Sequence, residues 1–281
     1  MDIFLFFFLF AFRYDVGHDY NNYANIFNTI ADIFNNNLQS VLILAFYEPI
    51  AILFSFIFRL TLYPYLWVIA CYSFLCVFIL YKLLDHYSFH TSGLLVFFAL
   101  NMFAFNLDVI RQGLSILIFL YSIRYIENRN PFKYFKCVLF ACCVHYSALI
   151  TIPFYFILNI KLNRYFCLSL IMIFLLGYYL KIWETLREYV FSLIPHYGER
   201  FLDNELQTQS FEVSSGLGML FNVFLSSMIV FCLNKRNKLL ANMAFGGILI
   251  YLFANGNYNI ERISFYLSYS LMLSVPFFFF N

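Results

Sequence analysis

The sequence predicts an all-α, polytopic membrane protein. Three observations carry that prediction: 63% of the 281 residues are hydrophobic, only 11% are charged, and the apolar runs are long and unbroken. A soluble globular domain carries roughly 25% charged residues. Here 17 Lys and Arg and 15 Asp and Glu cannot coat a water-soluble surface of this size. Disorder needs low hydrophobicity and high net charge, and a mean hydropathy of +0.77 excludes it. Backbone exposed to lipid must satisfy its own hydrogen bonds, which leaves helices or a closed barrel. A barrel would show short alternating segments, and this chain does not. The chain reads as one integral membrane domain, residues 1–281, with about eight transmembrane helices, a broken or re-entrant pair and external interfacial helices.

A span needs about 20 apolar residues. Ile3–Phe12 offers ten before Arg13, and Asp2 stands where a signal peptide would be basic. It reads as a first helix shortened by a late start codon. Further spans are expected at Pro64–Leu84, Thr91–Leu107, Gly113–Ile126, Tyr165–Trp183, Gly216–Leu233, Leu239–Phe253 and Ile263–Phe280. Two apolar stretches carry interruptions: Val41–Leu62 at Glu48-Pro49, and Cys137–Leu158 at His145 and Pro153.

Lys and Arg in short loops set the orientation. Arg129, Lys133 and Lys136 mark one cytoplasmic loop, Lys235, Arg236 and Lys238 a second, and Lys161 with Arg164 a third. Residues 184–215 hold six acids against two arginines and belong outside, as do residues 13–63. A single crossing by Cys137–Leu158 would put its two basic flanks on opposite sides. A pair of half-helices turning near His145 keeps both inside. In Val41–Leu62, Glu48, Ser55 and Arg59 are seven and four residues apart. At 100° per residue they fall within about 40° of one another, a narrow polar stripe that suits a helix at the external interface.

This topology sends the unusual polar residues to one external face. Arg13, Asp15, Asp19 and Tyr20 open the first loop, and Glu48 follows on its helix. Arg111 and Gln112 cap a short turn after Asn106 and Asp108, His145 tips the broken pair, and Arg262 precedes the last span. Charges at membrane depth are expensive, so their convergence points to a polar cavity. Arginines can grip a lipid diphosphate through charge-assisted, bidentate hydrogen bonds. A carboxylate or imidazole can serve as general base on a sugar hydroxyl, and the arginines can stabilise the departing diphosphate. Each residue also has a plain structural reading. Arg13 can snorkel to head groups, Asp19 can cap a helix, and Asp108 and Arg111 can pair to tighten their turn. His145 can be a packed core histidine.

Other chemistries lack their motifs. HExxH, Gly-rich phosphate loops and GxSxG are absent from the sequence, so neither a metal nor a cofactor is expected. A net charge of +2 implies no nucleic-acid partner. The seven cysteines lie in apolar segments without CxxC spacing and read as small hydrophobes.

The stretch RYDVGHDYNNYANIF (Arg13–Phe27) resembles the first-loop signature of the EpsG-like, Wzy-type polysaccharide polymerases, and FYEPIAILF (Phe46–Phe54) is similar to the E-P-G-F helix that follows it there. Ile110–Tyr155 resembles the family pattern of R-Q, small and apolar residues, then A-x-x-x-H-x-S-A. ERISFYL (Glu261–Leu267) is similar to its R-x-x-x-Y signature, which brings in Tyr266 beside Arg262. His18 departs from the usual Thr and Ile50 from the usual Gly. The resemblance implies a GT-C-like glycosyltransferase in the bacterial cytoplasmic membrane. Such an enzyme joins undecaprenyl-diphosphate-linked repeat units outside the cytoplasm, with a flippase and a chain-length regulator as further partners. On this reading Asp19, Glu48 and His145 are the candidate bases. Arg13, Asp15, Arg111, Gln112, Arg262 and Tyr266 are the candidate diphosphate and substrate contacts. A transporter of lipid-linked oligosaccharide and a truncated, inactive relative are the competing classes.

Overall fold

The protein is described by a computed structural model, which covers residues 8, 11, 20–36, 44–192 and 216–280. Two compact units divide the chain, Met1–Tyr155 and Phe156–Asn281. Every regular element among the described residues is helical.

In the first unit, α1 (Tyr20–Asn36) is amphipathic. Tyr20, Tyr23, Phe27, Ile30 and Ile33 recur every three or four residues and are buried, while the asparagines take the other faces. Phe27 stacks 6.1 Å from Tyr72 of α3 (Pro64–Tyr87). Between them lies α2 (Pro49–Phe58), which starts at a proline whose missing N–H costs nothing at a first helical position. The polar stripe of this segment turns inward rather than to water. Glu48 and Ser55 are buried, and Leu53, Phe56 and Ile57 are exposed.

The segment expected to cross as Thr91–Leu107 is two helices, α4 (His90–Ala99) and α5 (Met102–Asp108), bent by 68°. Asn101, at φ 57°, makes the bend, since Asn tolerates the left-handed region better than most residues. After a break at Val109, α6 (Ile110–Glu127) runs through the middle of the unit with nearly every residue buried. A basic turn leads to α7 (Pro131–Val144), which Asn130 caps by accepting from the Lys133 N–H at 3.1 Å.

At His145 the backbone becomes extended (φ −156°, ψ 124°) and α7 ends. A 3-10 helix, Tyr146–Thr151, and a short turn, α8 (Phe154–Ile157), follow. The chain then returns along α7: the Tyr134 hydroxyl donates to the Thr151 carbonyl at 2.6 Å, and Tyr155 packs 5.2 Å from the Tyr134 ring. Cys137–Tyr155 therefore goes out and back, turning at His145.

This geometry gives the first unit two distinct ends. The Tyr87 hydroxyl, at the end of α3, donates to Glu127 at the end of α6, beside the basic Glu127–Lys136 turn. Arg111 lies in the first turn of α6, ~24 Å from Glu127 at 1.5 Å per residue, and His145 lies ~21 Å from the start of α7. Both sit at the end opposite the basic turn.

In the second unit, α9 (Arg164–Tyr179) and α10 (Ile182–Ser192) meet at 80°. Lys181, at φ 57°, makes the corner, and Trp183 folds back over Gly177. Its indole N–H donates to the Phe174 carbonyl at 2.8 Å and its ring stacks on Phe174 at 4.5 Å. α11 (Gly216–Leu233) precedes α12 (Lys238–Ala254). At the start of α12, Lys238 donates to the Asn159 carbonyl and Asn242 to those of Leu158 and Ile160. The basic segments 158–164 and 234–238 thus share one end of the unit. The buried Arg187 of α10 donates to the Phe253 carbonyl in the last turn of α12, where positive charge complements the helix dipole.

A turn through Asn255 and Gly256 leads to α13 (Tyr258–Ser268), capped by the Asn257 side chain. Gly246 and Gly247 let α13 close on α12, since a Cβ at Gly247 would meet Ser268 Oγ at 2.6 Å. Such small residues permit the close helix approach that packing in lipid rewards. The expected last span Ile263–Phe280 is interrupted between α13 and α14 (Leu271–Phe280), where Tyr269 and Ser270 turn the chain.

Two described helices, α3 and α11, are long and apolar enough to cross a membrane, or up to four spans if each bent pair counts as one. Of the other expected spans, Thr91–Leu107, Tyr165–Trp183 and Ile263–Phe280 are divided by bends, and α12, with 17 residues, is just short of that length.

The Trp183 corner is open to test. A Cβ at Gly177 would meet the indole at 2.5 Å, and at Gly216 nothing lies within 4 Å. Gly177→Ala should lower stability by about 1–3 kcal/mol through overpacking, and Gly216→Ala should not. Thermal unfolding of the purified protein in detergent, followed by tryptophan fluorescence, checks both.

Candidate functional site

Pro49 disfavours helical backbone in the residue before it. Glu48 accordingly stays extended (φ −68°, ψ 141°) ahead of α2. Its carboxylate is buried, with 7% of the side chain exposed, and gathers two residues distant in the chain. Oε2 accepts a short hydrogen bond from Nη1 of Arg111, 63 residues on. Oε1 lies 2.7 Å from Nδ1 of His145, 97 residues on. The turns carrying Glu48 and His145 are also joined directly, because the Tyr146 hydroxyl donates to the Tyr47 carbonyl at 2.8 Å.

Arg111 is placed by the corner between α5 and α6. Gly113, one turn into α6, allows Asn106 of α5 to press against the helix, and a Cβ there would meet Asn106 Cγ at 2.7 Å. Asn106 is held in turn by its own Nδ2 donating to the Met102 carbonyl at 2.8 Å. The guanidinium carbon of Arg111 lies 5.1 Å from the Tyr23 ring centroid, a cation–π contact that strengthens as water is excluded. Arg111 Nε and the hydroxyl of the fully buried Tyr72 have no hydrogen-bond partner among the described residues.

Glu48 lies outside the spanning helices, and burial alone would raise its pKa. The hydrogen bond from His145 and the charge of Arg111 outweigh that and hold the carboxyl below the ordinary carboxylate range. Glu48 is therefore an ionised acceptor with both oxygens engaged. The cluster offers a fixed cation in Arg111 and an imidazole whose exposed edge is oriented by the carboxylate.

The structure brings together three of the sequence-predicted residues: Glu48, Arg111 and His145. Gln112 is buried next to Arg111. Arg262 and Tyr266 belong to the second unit, where Arg262 lies over the Tyr258 ring at 5.3 Å and Tyr266 is fully buried in α13. Arg13, Asp15 and Asp19 lie outside the described residues. Sequence reasoning missed Tyr72, and Tyr23 as a platform for Arg111. The available signal was a tyrosine in the middle of an apolar span at position 72, which needs a reason in lipid. Among the described residues no group of three or more His, Cys, Asp or Glu could hold a metal ion.

A chain whose described regular elements are all helical, with phenylalanines and leucines on the outside and a charged cluster gathered within, is a helical membrane protein. The particular kind follows from comparison. The chain belongs to the EpsG family, whose family model matches residues 2–281. No curated protein and no solved structure matches it. Family membership points to a membrane protein of polysaccharide biosynthesis.

Removing one partner of a buried pair leaves the other charge uncompensated, at a cost of about 3–5 kcal/mol. Glu48→Ala should therefore destabilise the protein by an amount of that order and more than Arg59→Ala, whose partner is the Phe56 carbonyl in its own turn. Because the Glu48 pKa is depressed, its stabilisation is full above the ordinary carboxylate pKa. It is lost as pH falls through the lower folded value. Unfolding midpoints measured from neutral to acid pH should fall for the wild type and fall less for Glu48→Gln.

Proposed function

We propose that the protein is a repeat-unit polymerase. It transfers a growing glycan from undecaprenyl diphosphate onto a new lipid-linked repeat unit, at the outer side of the bacterial cytoplasmic membrane. The product is a capsular, exo- or O-antigen polysaccharide. The observation that carries this reading is the Glu48–Arg111–His145 cluster, built on a buried carboxylate, at the end of α6 and α7 away from the basic turn. The positive-inside rule makes the basic turn cytoplasmic, which supports an outward-facing cluster. Family membership supplies the link to polysaccharide synthesis.

On this reading the chain is one GT-C-like membrane domain of about eight crossings. Arg111 holds the donor diphosphate, and its fixed charge meets the negative charge that grows on the leaving group. Gln112 and, from the first external loop, Arg13 and Asp15 are the further candidate contacts of the first unit, and Arg262 and Tyr266 are candidates in the second. Asp19, Glu48 and His145 are the groups able to take a proton from the acceptor hydroxyl. A flippase that delivers the lipid-linked units and a chain-length regulator are the expected protein partners.

Removing one preorganised cation from a transition state costs about 10²–10³ in rate. Arg111→Ala cells should make no polymer while single repeat units still reach the lipid carrier. Gel analysis of surface polysaccharide and extraction of lipid-linked glycans measure the two. Polymer of normal length and amount in both Arg111→Ala and Arg262→Ala cells would sink the proposal.

A further inference from the structure

The hydrogen bonds of the cluster distinguish its two candidate bases, and we infer that His145 Nε2 is the proton acceptor and Glu48 its positioning residue. The inference rests on the polymerase reading above. Both Glu48 oxygens are taken, Oε2 by Arg111 and Oε1 by His145, and the side chain is 7% exposed. An ionised carboxylate only accepts hydrogen bonds. Nδ1 of His145 therefore carries the ring proton toward Oε1, and in the neutral imidazole the lone pair is left on Nε2. Nε2 has no partner among the described residues, and the His145 side chain is 22% exposed, three times the figure for Glu48. The reachable basic atom is on the imidazole.

The local backbone serves the same arrangement. A continuous helix through residue 145 would carry its side chain on around the α7 surface. The extended conformation there ends the helix at the turn, and the Tyr146–Tyr47 hydrogen bond ties that turn to the one bearing Glu48. The imidazole faces Glu48 ahead of α2, which Arg111 on α6 shares, and Glu48 and Cys143 on α7 both act on the hydroxyl of the neighbouring Tyr146 on the 3-10 helix. Tyr23 of α1 and Tyr72 of α3 lie beyond Arg111.

The step balances as follows. The acceptor sugar hydroxyl gives its proton to Nε2 while its oxygen forms a bond to the anomeric carbon of the donor glycan. The bond from that carbon to the diphosphate oxygen breaks, and the electron pair leaves on the diphosphate, facing Arg111. The imidazolium, stabilised by Glu48, then returns its proton to water. A single direct displacement of this kind inverts the configuration of the anomeric carbon.

The test uses the full chain in liposomes, supplied with lipid-diphosphate-linked glycans extracted from cells that lack it. His145→Gln should lower kcat by 10²-fold or more, the usual range for a general base, with KM changed less than about threefold. Glu48→Gln keeps an oxygen that accepts from Nδ1–H and should retain more activity than His145→Gln, whereas Glu48→Leu should lose as much as His145→Gln. Added imidazole should restore His145→Ala, in proportion to its concentration, and leave Glu48→Leu unrestored. Rescue separates a missing base from a misfolded chain. The assignment falls if His145→Gln turns over within a few-fold of wild type while Glu48→Gln is inactive, which would make the carboxylate the base. It falls equally if imidazole fails to rescue a His145→Ala protein that unfolds at the wild-type temperature. Failure of the wild-type chain to form any glycosidic bond overturns the polymerase reading itself, and this assignment with it.

Discussion

One carboxylate ties the first unit together. Glu48 draws Arg111 and His145 to itself across 63 and 97 residues of chain. The attraction is strong because little water reaches the group, and for the same reason none of the three can be left alone there. Each of the three residues stands at an interruption of helix. Pro49 keeps Glu48 out of α2, the break at Val109 places Arg111 in the first turn of α6, and the extended backbone at His145 ends α7. An unbroken helix would spread these side chains over its own surface. The breaks gather them at one end.

That requirement explains what was legible in the sequence and what was not. Composition made the helical, membrane-bound character plain, because 63% hydrophobic residues admit few other outcomes. Glu48-Pro49 announced its own break, since proline constrains its predecessor locally. The turn at His145 was legible only through the basic flanks of Cys137–Leu158, a global charge argument. Pro153 disrupts the backbone several residues further on and does not by itself end α7 at residue 145. The bend at Asn101 and the corner at Lys181 were missed because a left-handed residue in an apolar run leaves the hydropathy profile unchanged. At the second of these, Gly177 and Trp183 carry the information jointly, and neither is diagnostic alone.

The cluster was half legible. The residue types were identified one by one, but their pairing was not. Asp108 stands three residues before Arg111 and was the natural candidate for its partner, whereas Arg111 reaches Glu48 on a different segment. Neighbours in sequence are easy to pair by eye. The structure pairs residues according to which helix ends meet, and that depends on helix lengths and bends fixed by packing. The inward turn of the Glu48–Ser55 stripe has the same origin. A narrow polar stripe on a short helix can face water or a polar interior, and periodicity is identical in the two cases. Here the half-buried Arg111 supplies the interior partner that decides between them.

The scarcity of charge then acquires a spatial meaning. In the first unit, Arg129, Lys133 and Lys136 sit at the end of α6 and α7 that receives Tyr87, and Arg111 and His145 sit at the other. In the second, Lys238 reaches Asn159 at one end of α12, while Arg187 meets the carbonyl of Phe253 at its far end. Both units thus place a basic turn at one end of a long buried helix and a half-buried or buried arginine at the opposite end. Exposed cations in short turns orient a membrane protein, but a buried arginine orients nothing and must be held by an acceptor. Arg187 donates to a backbone carbonyl in the last turn of α12, as a helix cap would. Arg111 has a carboxylate shared with an imidazole, an arrangement that leaves a lone pair exposed beside a fixed cation. That exposed lone pair beside a fixed cation is what marks the candidate site.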